Sequence, residues 1–222
     1  MRKAELIVLG IILLSLGIGF YFYPQMPDMV ASHWNAKGEV NDYMTKAWGT
    51  FLMPIVSFFM LLLFMLIPRI DPLKANIEKF RKYFDSFIVL ITIFLFYIYL
   101  LSIAWNVGLR FDMGRLMAPA MGLLFYYCGI LIENAKRNWF IGIRTPWTLS
   151  SDSVWEKTHK IGAKLFKVCG LIALLGIIVP QYAFLVVIVP ALFAAIYTTL
   201  YSYFEYQKEI KKSRSVINKF HI

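Results

Sequence analysis

The side chains that could carry chemistry are few and lie in two short segments. Glu156 and His159 stand three residues apart, which places a carboxylate and an imidazole on one face of a helix. Such a pair is half of a carboxylate-bridged di-metal motif, or an acid and a base acting on a lipid or peptide. The chain has no second copy, and no zinc-protease, nucleophile-elbow, P-loop or dinucleotide-binding motif. We therefore expect no enzymatic activity, no metal and no cofactor.

The first segment, residues 24–46, combines a turn with aromatic and polar side chains. Asn35-Ala-Lys-Gly38 is typical of a tight turn, in which glycine takes a positive φ. Around it, His33, Trp34, Asn41 and Tyr43 offer hydrogen-bonding groups suited to gripping a peptide or a lipid headgroup. The alternative is an ordered cap on a helical hairpin, with Trp34 and Tyr43 in the membrane interface.

The second segment, residues 138–159, centres on an arginine with apolar neighbours. Arg144 follows Ile143 and precedes Thr145-Pro146-Trp147. A guanidinium in such surroundings favours a planar anionic partner, either a carboxylate or a phosphate. Two interpretations remain open: Arg144 orders the loop by pairing with Glu133, Asp152 or a phospholipid, or it recognises a partner.

A helix is predicted to begin within this second segment, at about Val154. Ser153 and Glu156 have the spacing of a capping box. The following residues form one stripe that would enter the membrane from its surface: Trp155, His159, Gly162 and Phe166.

Composition places both segments in a membrane protein. Apolar residues make up 59% of the chain and charged residues 16%, with a mean hydropathy of +0.64. Soluble domains contain roughly 45–50% apolar and about 25% charged residues. The 222 residues leave room for several spans but not for a separate soluble domain of ordinary size. Cys128 and Cys169 lie inside apolar runs, so we expect packed thiols and no disulfide.

We predict an all-α bundle of six transmembrane helices. A hydrocarbon core about 30 Å thick needs roughly 20 apolar residues of helix. Six segments meet or nearly meet this length: Leu6–Tyr23, Gly49–Ile67, Phe87–Val107, Leu116–Ile132, Ile161–Pro180 and Tyr182–Phe204. The fifth is the weakest because Lys164 and Lys167 near its start must reach water. The predicted divisions are an N-terminal hairpin (1–67), a central hairpin (68–132) and a C-terminal region (133–222).

The basic residues predict the orientation of this bundle. Nineteen of the 23 Lys and Arg residues fall at the two termini and in the segments 68–86 and 133–167. The positive-inside rule then places both termini in the cytoplasm, residues 24–46 outside and residues 138–159 inside. The net charge of +10 is thus explained by topology, and no direct nucleic-acid partner is expected.

Two blocks of residues resemble the SdpI family of small multi-pass membrane proteins. The outer block has the pattern His33-Trp34-Asn35…Gly38…Asn41-x-Tyr43…Lys46…Pro54, and it looks like a domain of unknown function found at the start of many such proteins. The inner, more specific block has the pattern Asn138-Trp139-x-x-Gly142-x-Arg144-Thr145-Pro146-Trp147, continuing through Trp155-x-x-Thr158-His159. Together the blocks cover about half the chain.

The resemblance implies a cell-membrane protein that gives immunity to a secreted, membrane-active peptide toxin. It also implies signalling, in which a transcriptional regulator is held at the membrane. The toxin would be sensed by the outer residues His33, Trp34, Asn35, Asn41, Tyr43 and Lys46, or by the adjoining ends of the spans. The regulator would meet the inner residues Asn138, Gly142, Arg144, Thr145, Pro146, Trp147, Trp155 and His159. The basic stretch from Lys208 to Lys219 would assist this output or bind anionic lipid.

Two other functions compete with immunity. A small transporter or channel usually carries ionisable residues at membrane depth, whereas here only Asn106 and edge residues such as Asp85, Glu133 and Glu205 come near. A membrane-embedded enzyme acting on lipid or peptide would use Glu156 and His159, and replacing both would abolish its activity. The lipid bilayer is the partner common to all three functions.

Overall fold

Long helices dominate the computed structural model, which describes residues 2–220 and the side chains of residues 2–213. The helices and strands are α1 (Lys3–Phe22), β1 (Met29–Trp34), β2 (Val40–Thr45), α2 (Lys46–Ile70), α3 (Lys74–Lys79), α4 (Arg81–Asn106), α5 (Met113–Asn134), α6 (Pro146–Ser150), α7 (Asp152–Ala173) and α8 (Ala183–Phe220). Short 3₁₀ turns follow α1 and precede α8. The basic stretch predicted to bind lipid includes Arg214 and Lys219, whose side chains lie outside the described part of the structure.

Five helices are long and apolar enough to cross a membrane within the described residues. They are α1, α2, α4, α5 and α8, which match five of the six predicted spans. The remaining predicted span, residues 161–180, falls in α7 and the turn after it, which are not among the five. Its lysines make this segment more polar than the others, so length and composition alone do not identify it as a span.

The helices pack in two groups of three, α1 with α2 and α4, and α5 with α7 and α8, joined where α4 meets α5. The contact between α5 and α7 is the most extensive between any two of these helices, and small residues face each other across it. A Cβ added to Gly122 would lie 2.7 Å from the carbonyl oxygen of Gly170, so only glycine allows this approach. Further along, Ala118 faces Gly176 and Gly129 faces Ala163. Residues 163–176 therefore run antiparallel to α5 from Gly129 back to Ala118.

The prediction of an all-α fold is wrong in one place, because residues 29–45 form an antiparallel β-hairpin of β1 and β2. The predicted turn between the strands is confirmed: the Gly38 N–H donates to the Asn35 carbonyl at 2.9 Å, and Gly38 has a φ of 78°. Asn106 explains why a hairpin forms at the end of a helical bundle. Its side-chain amide pairs with both backbone groups of Ala31, at 2.8 and 3.0 Å, and so completes the edge of β1.

The predicted start of α7 is two residues late. Ser151, not Ser153, caps the helix, and its hydroxyl accepts from the Val154 N–H at 3.2 Å. The same hydroxyl lies 2.8 Å from a carboxylate oxygen of Glu209 on α8. Of the serines at positions 150, 151 and 153, Ser151 is the one that caps α7, and its hydroxyl also donates to Glu209 on α8.

Candidate functional site

The segment between α5 and α7, residues 135–151, is folded around one buried amide. We call it the α5–α7 loop. Asn138 is fully buried, and its Oδ1 accepts from the N–H groups of Phe140 and Ile141 at 2.9 and 2.6 Å. Its Nδ2 donates to the carbonyls of Lys136 and Ile141, both at 2.8 Å. These four bonds satisfy the whole amide, so Asn138 acts as the internal template of the loop.

Gly142, Trp155 and His159 join this loop to α7. Gly142 has a φ of 114°, and a Cβ there would collide with Nε2 of His159. The His159 ring stacks on the Trp155 indole, with centroids 3.9 Å apart. Trp155 is 1% exposed and its indole N–H donates to the Ala135 carbonyl at 2.9 Å. The predicted stripe therefore faces the protein interior at these residues, and the prediction that it lies on a surface is wrong for Trp155 and His159.

His159 is held in its neutral form. The N–H of Ile143 donates to Nε2 at 3.1 Å, so Nε2 must be unprotonated. Nδ1 then carries the proton and donates to the Trp155 carbonyl at 2.9 Å. Burial disfavours the charged ring and lowers the pKa of His159 to about 4, although the hydrogen bond to the Trp155 carbonyl acts in the opposite direction.

The stability of the protein is expected to fall as the pH is lowered from about 6.5 towards 4. The ordinary pKa of 6.5 applies to His159 in the unfolded chain, and the folded value is about 4. Between these values the unfolded chain binds a proton that the folded protein does not. The free energy of unfolding then decreases by about 1.4 kcal/mol per pH unit, and above this window it is retained in full.

Thermal unfolding in detergent across this pH range measures the effect. The variant His159→Gln, which can still accept from the Ile143 N–H, should lose this part of the pH dependence. The control His33→Gln changes an exposed histidine and should keep it. Equal pH profiles for wild type and His159→Gln would contradict the assignment.

Thr145, Pro146 and Trp147 connect the loop to α8. Thr145 caps the short helix α6, with Pro146 as its first residue, and the Thr145 and Ser202 hydroxyls are 3.0 Å apart. The Trp147 ring meets the edge of Tyr203, with centroids 5.2 Å apart. These contacts hold the loop against the helix that carries the C-terminus.

Arg144 is exposed and makes no ion pair among the described residues. Its guanidinium donates to the Trp139 carbonyl at 2.9 Å. The carboxylates predicted as its partners are bound elsewhere: Glu133 to Lys167 at 2.6 Å, and Asp152 to Arg137 at 2.7 Å. The hypothesis of a pairing with either carboxylate is therefore wrong. Beside Arg144, Trp139 is 52% exposed, which leaves a cation and an indole on the surface of the loop.

Sequence reasoning missed Asp71, which ties the α5–α7 loop to the first half of the chain. Asp71 is 2% exposed, and its carboxylate accepts from the N–H groups of Trp139 at 2.9 Å and Leu73 at 2.6 Å. An Asp-Pro pair at a helix end is an ordinary turn signal. Nothing in the sequence indicates that this one also holds a loop 68 residues away.

The predicted outer residues lie at the opposite end of the helices, in and beside the β-hairpin. Nδ1 of His33 and Oδ1 of Asn41 are 2.6 Å apart, and Nδ2 of Asn35 donates to Glu39 at 3.0 Å. Trp34 packs edge-on against Trp105, with centroids 5.9 Å apart. The remaining two residues are Tyr43, which is 52% exposed, and Lys46, whose Nζ lies 5.0 Å from the ring centroid of Tyr23.

The structure does not bring Glu156 and His159 together as an acid and a base. The carboxylate of Glu156 is 70% exposed and lies 3.8 Å from Nζ of Lys136. His159 is buried, with both ring nitrogens occupied by backbone groups. Across residues 2–213, no three His, Cys, Asp or Glu side chains are grouped so that they could hold a metal ion.

The long apolar helices and the two polar assemblies at their ends define a multi-pass protein of the cell membrane. Residues 134–202 match the model of the SdpI/YfhL protein family, which confirms the predicted resemblance to the SdpI family. Residues 10–58 match a domain of unknown function (DUF1648). The chain is 27% identical to the immunity protein SdpI of Bacillus subtilis (strain 168) over 207 residues, covering 93% of this chain and 97% of that protein. No solved structure matches the chain.

Proposed function

We propose that this protein protects its cell against a secreted, membrane-active peptide toxin. The observation that carries the proposal is the similarity to an immunity protein along almost the whole length of both chains. The family match covers the α5–α7 loop, in which the buried Asn138 makes four hydrogen bonds to the backbone. The bilayer is the medium in which toxin and protein would meet.

The two ends of the bundle would have different functions, toxin binding at one end and regulator binding at the other. The β-hairpin, with exposed side chains such as Tyr43, would meet the toxin outside the cell. The α5–α7 loop would meet a cytoplasmic transcriptional regulator through Trp139 and Arg144, its exposed indole and guanidinium. Interfaces are enriched in aromatic residues and arginine, which supports this use of the loop.

The topology behind this division has six spans with both termini in the cytoplasm. Residues 163–176 run antiparallel to α5 from Gly129 back to Ala118, which supports residues 161–180, in α7 and the turn after it, as the sixth span. Contact with α5 and α8 buries one side of this more polar helix, and Lys167 is paired with Glu133 at 2.6 Å, which supports its place in the bilayer. The excess of basic residues near the α5–α7 loop supports the orientation.

Cysteine labelling in intact cells tests the orientation. Ala36 and Ser150 are both exposed, one in the hairpin turn and one in α6. In a background without Cys128 and Cys169, Ala36→Cys should react with an impermeant maleimide and Ser150→Cys should react only after the cells are opened. The reverse pattern would overturn the topology.

Immunity is tested by the membrane potential of toxin-sensitive bacteria challenged with an SDP-type killing peptide. Cells that express the protein should keep their potential while empty-vector cells depolarise. Arg144→Ala should protect as well as wild type, because Arg144 lies at the end opposite the β-hairpin. Lys160→Ala, which removes an equal charge from an exposed position, is the matched control.

Either of two results would contradict part of this proposal. Depolarisation at the vector rate despite good expression would exclude protection against this peptide. If Arg144→Ala lost protection and Lys160→Ala kept it, the α5–α7 loop would take part in protection. The proposal that the two ends have separate functions would then be wrong.

A further inference from the structure

A cavity of about 250 Å³ lies under the β-hairpin, where the N-terminal ends of α5 and α8 meet. We call it the hairpin cavity. Its walls include Trp34, Gly38, Met113, Met117, Met121 and Phe184. An apolar cavity of about 150 Å³ holds a benzene molecule, so this one has room for a bulky apolar side chain.

Both family-matched segments contribute to the cavity, and α5, which lies between them in the chain, supplies the methionine walls. Trp34 and Gly38 come from the segment that matches the domain of unknown function, and Phe184 from the segment that matches the SdpI family. The pairing register of the hairpin shifts at His33 and Trp34. Such irregularities re-aim side chains and recur beside functional sites.

Trp34, one of the residues that line the cavity, has a side-chain donor without a hydrogen-bond partner in the described part of the chain. The indole Nε1–H of Trp34 is buried and makes no hydrogen bond to any described residue. Buried donors are paired in most proteins because an unpaired one is costly. Because this nitrogen has almost no accessible surface in the free protein, the indole must turn towards the cavity before an acceptor such as a peptide carbonyl can pair with it.

The chemistry of the walls favours a peptide over an anionic lipid. None of the lining residues is charged, and Lys37 and Arg115 nearby do not line the cavity. The carboxylate of Asp112 stands beside it, with Oδ1 3.4 Å from the position of a Cβ on Gly114 and 3.8 Å from one on Gly38. A carboxylate at this position repels a lipid phosphate. The methionine walls suit side chains of varied shape because methionine is flexible and polarizable.

We propose that the hairpin cavity takes up a bulky apolar side chain of the secreted peptide, and that the Trp34 indole turns so that its Nε1–H donates to a peptide carbonyl. This inference rests on the proposed function, since it names the site at which the toxin is bound. Direct binding is therefore measured separately from protection.

The test uses the full chain in nanodiscs and a fluorescent SDP-type killing peptide. Met117→Trp fills the cavity and should weaken binding by at least about tenfold. Leu123→Trp is the matched control, because it introduces the same side chain on the same helix at a position that is 58% exposed and outside the cavity. Its affinity should equal that of wild type.

Trp34→Phe tests the hydrogen bond. It keeps the aromatic contact with Trp105 and removes a donor that has no partner in the described protein. The thermal stability of the free protein should be unchanged or higher, while peptide affinity should fall by about threefold to tenfold. A structural role for the donor would instead lower stability.

Three results would overturn the inference: no saturable binding to wild type, equal binding by folded Met117→Trp and wild type, or equal losses in Met117→Trp and Leu123→Trp. Binding that follows the expected pattern without protection of cells would support the cavity and contradict the immunity function. If wild type protects cells but Met117→Trp binds the peptide as well as wild type does, the immunity function would be supported and the cavity would be contradicted as the binding site.

Discussion

Replacing Trp155 by alanine is expected to lower the free energy of unfolding by about 3–5 kcal/mol, the range for large aromatic residues in protein cores. Trp155 is 1% exposed, donates to the Ala135 carbonyl and stacks on His159. Alanine would leave a cavity, an unpaired carbonyl and an unsupported imidazole. Thermal unfolding in detergent should show this as one of the largest losses in the chain.

Two variants separate the contributions of Trp155. Trp155→Phe keeps most of the ring contact but loses the indole donor, so it should lose about 1–3 kcal/mol. Trp139→Ala removes an indole that is 52% exposed and should change stability by less than about 0.5 kcal/mol. Similar melting temperatures for the alanine variants at Trp155 and Trp139 would show that burial of Trp155 does not stabilise the fold.

Replacing Asn138 by alanine is expected to remove more than about 3 kcal/mol of stability, because several buried backbone groups would lose their partner at once and each unpaired group costs about 1–3 kcal/mol. The groups belong to Lys136, Phe140 and Ile141. The exposed face of the loop should lose its order with them. Limited proteolysis of the α5–α7 loop and thermal unfolding together measure this change.

Asn134→Ala is the matched control for Asn138→Ala. Asn134 is an asparagine four positions earlier, and its Nδ2 donates to the Ile130 carbonyl of its own helix at 2.8 Å. The loss here should be about 0.5–1.5 kcal/mol. If both variants lost the same stability and resisted protease equally, the template role of Asn138 would be disproved.

Asn134 and Asn138 show what the sequence does not indicate, namely which of two neighbouring asparagines is buried and holds the loop together. The SdpI-like block begins at Asn138 and leaves out Asn134, but nothing in that pattern says that the Asn138 side chain organises the loop. Asn138 becomes the template of the loop only because α7 and Asp71 close around residues 138–141. Arg144 shows the same limit, since its two candidate carboxylates were within reach in sequence but lie with Lys167 and Arg137 in the folded chain.

The membrane class and five of the spans were predictable because they depend on the sum of many apolar residues, and no single contact alters that sum. The turn at Gly38 was predictable because glycine adopts a positive φ without steric cost and asparagine favours turns through its own side chain. The burial of Trp155, the neutral state of His159, the hairpin held by Asn106 and the cavity beneath it depend on groups that are distant in sequence. Only the tertiary structure decides those features, because hydrogen-bond partners and packing neighbours are set by how the helices assemble.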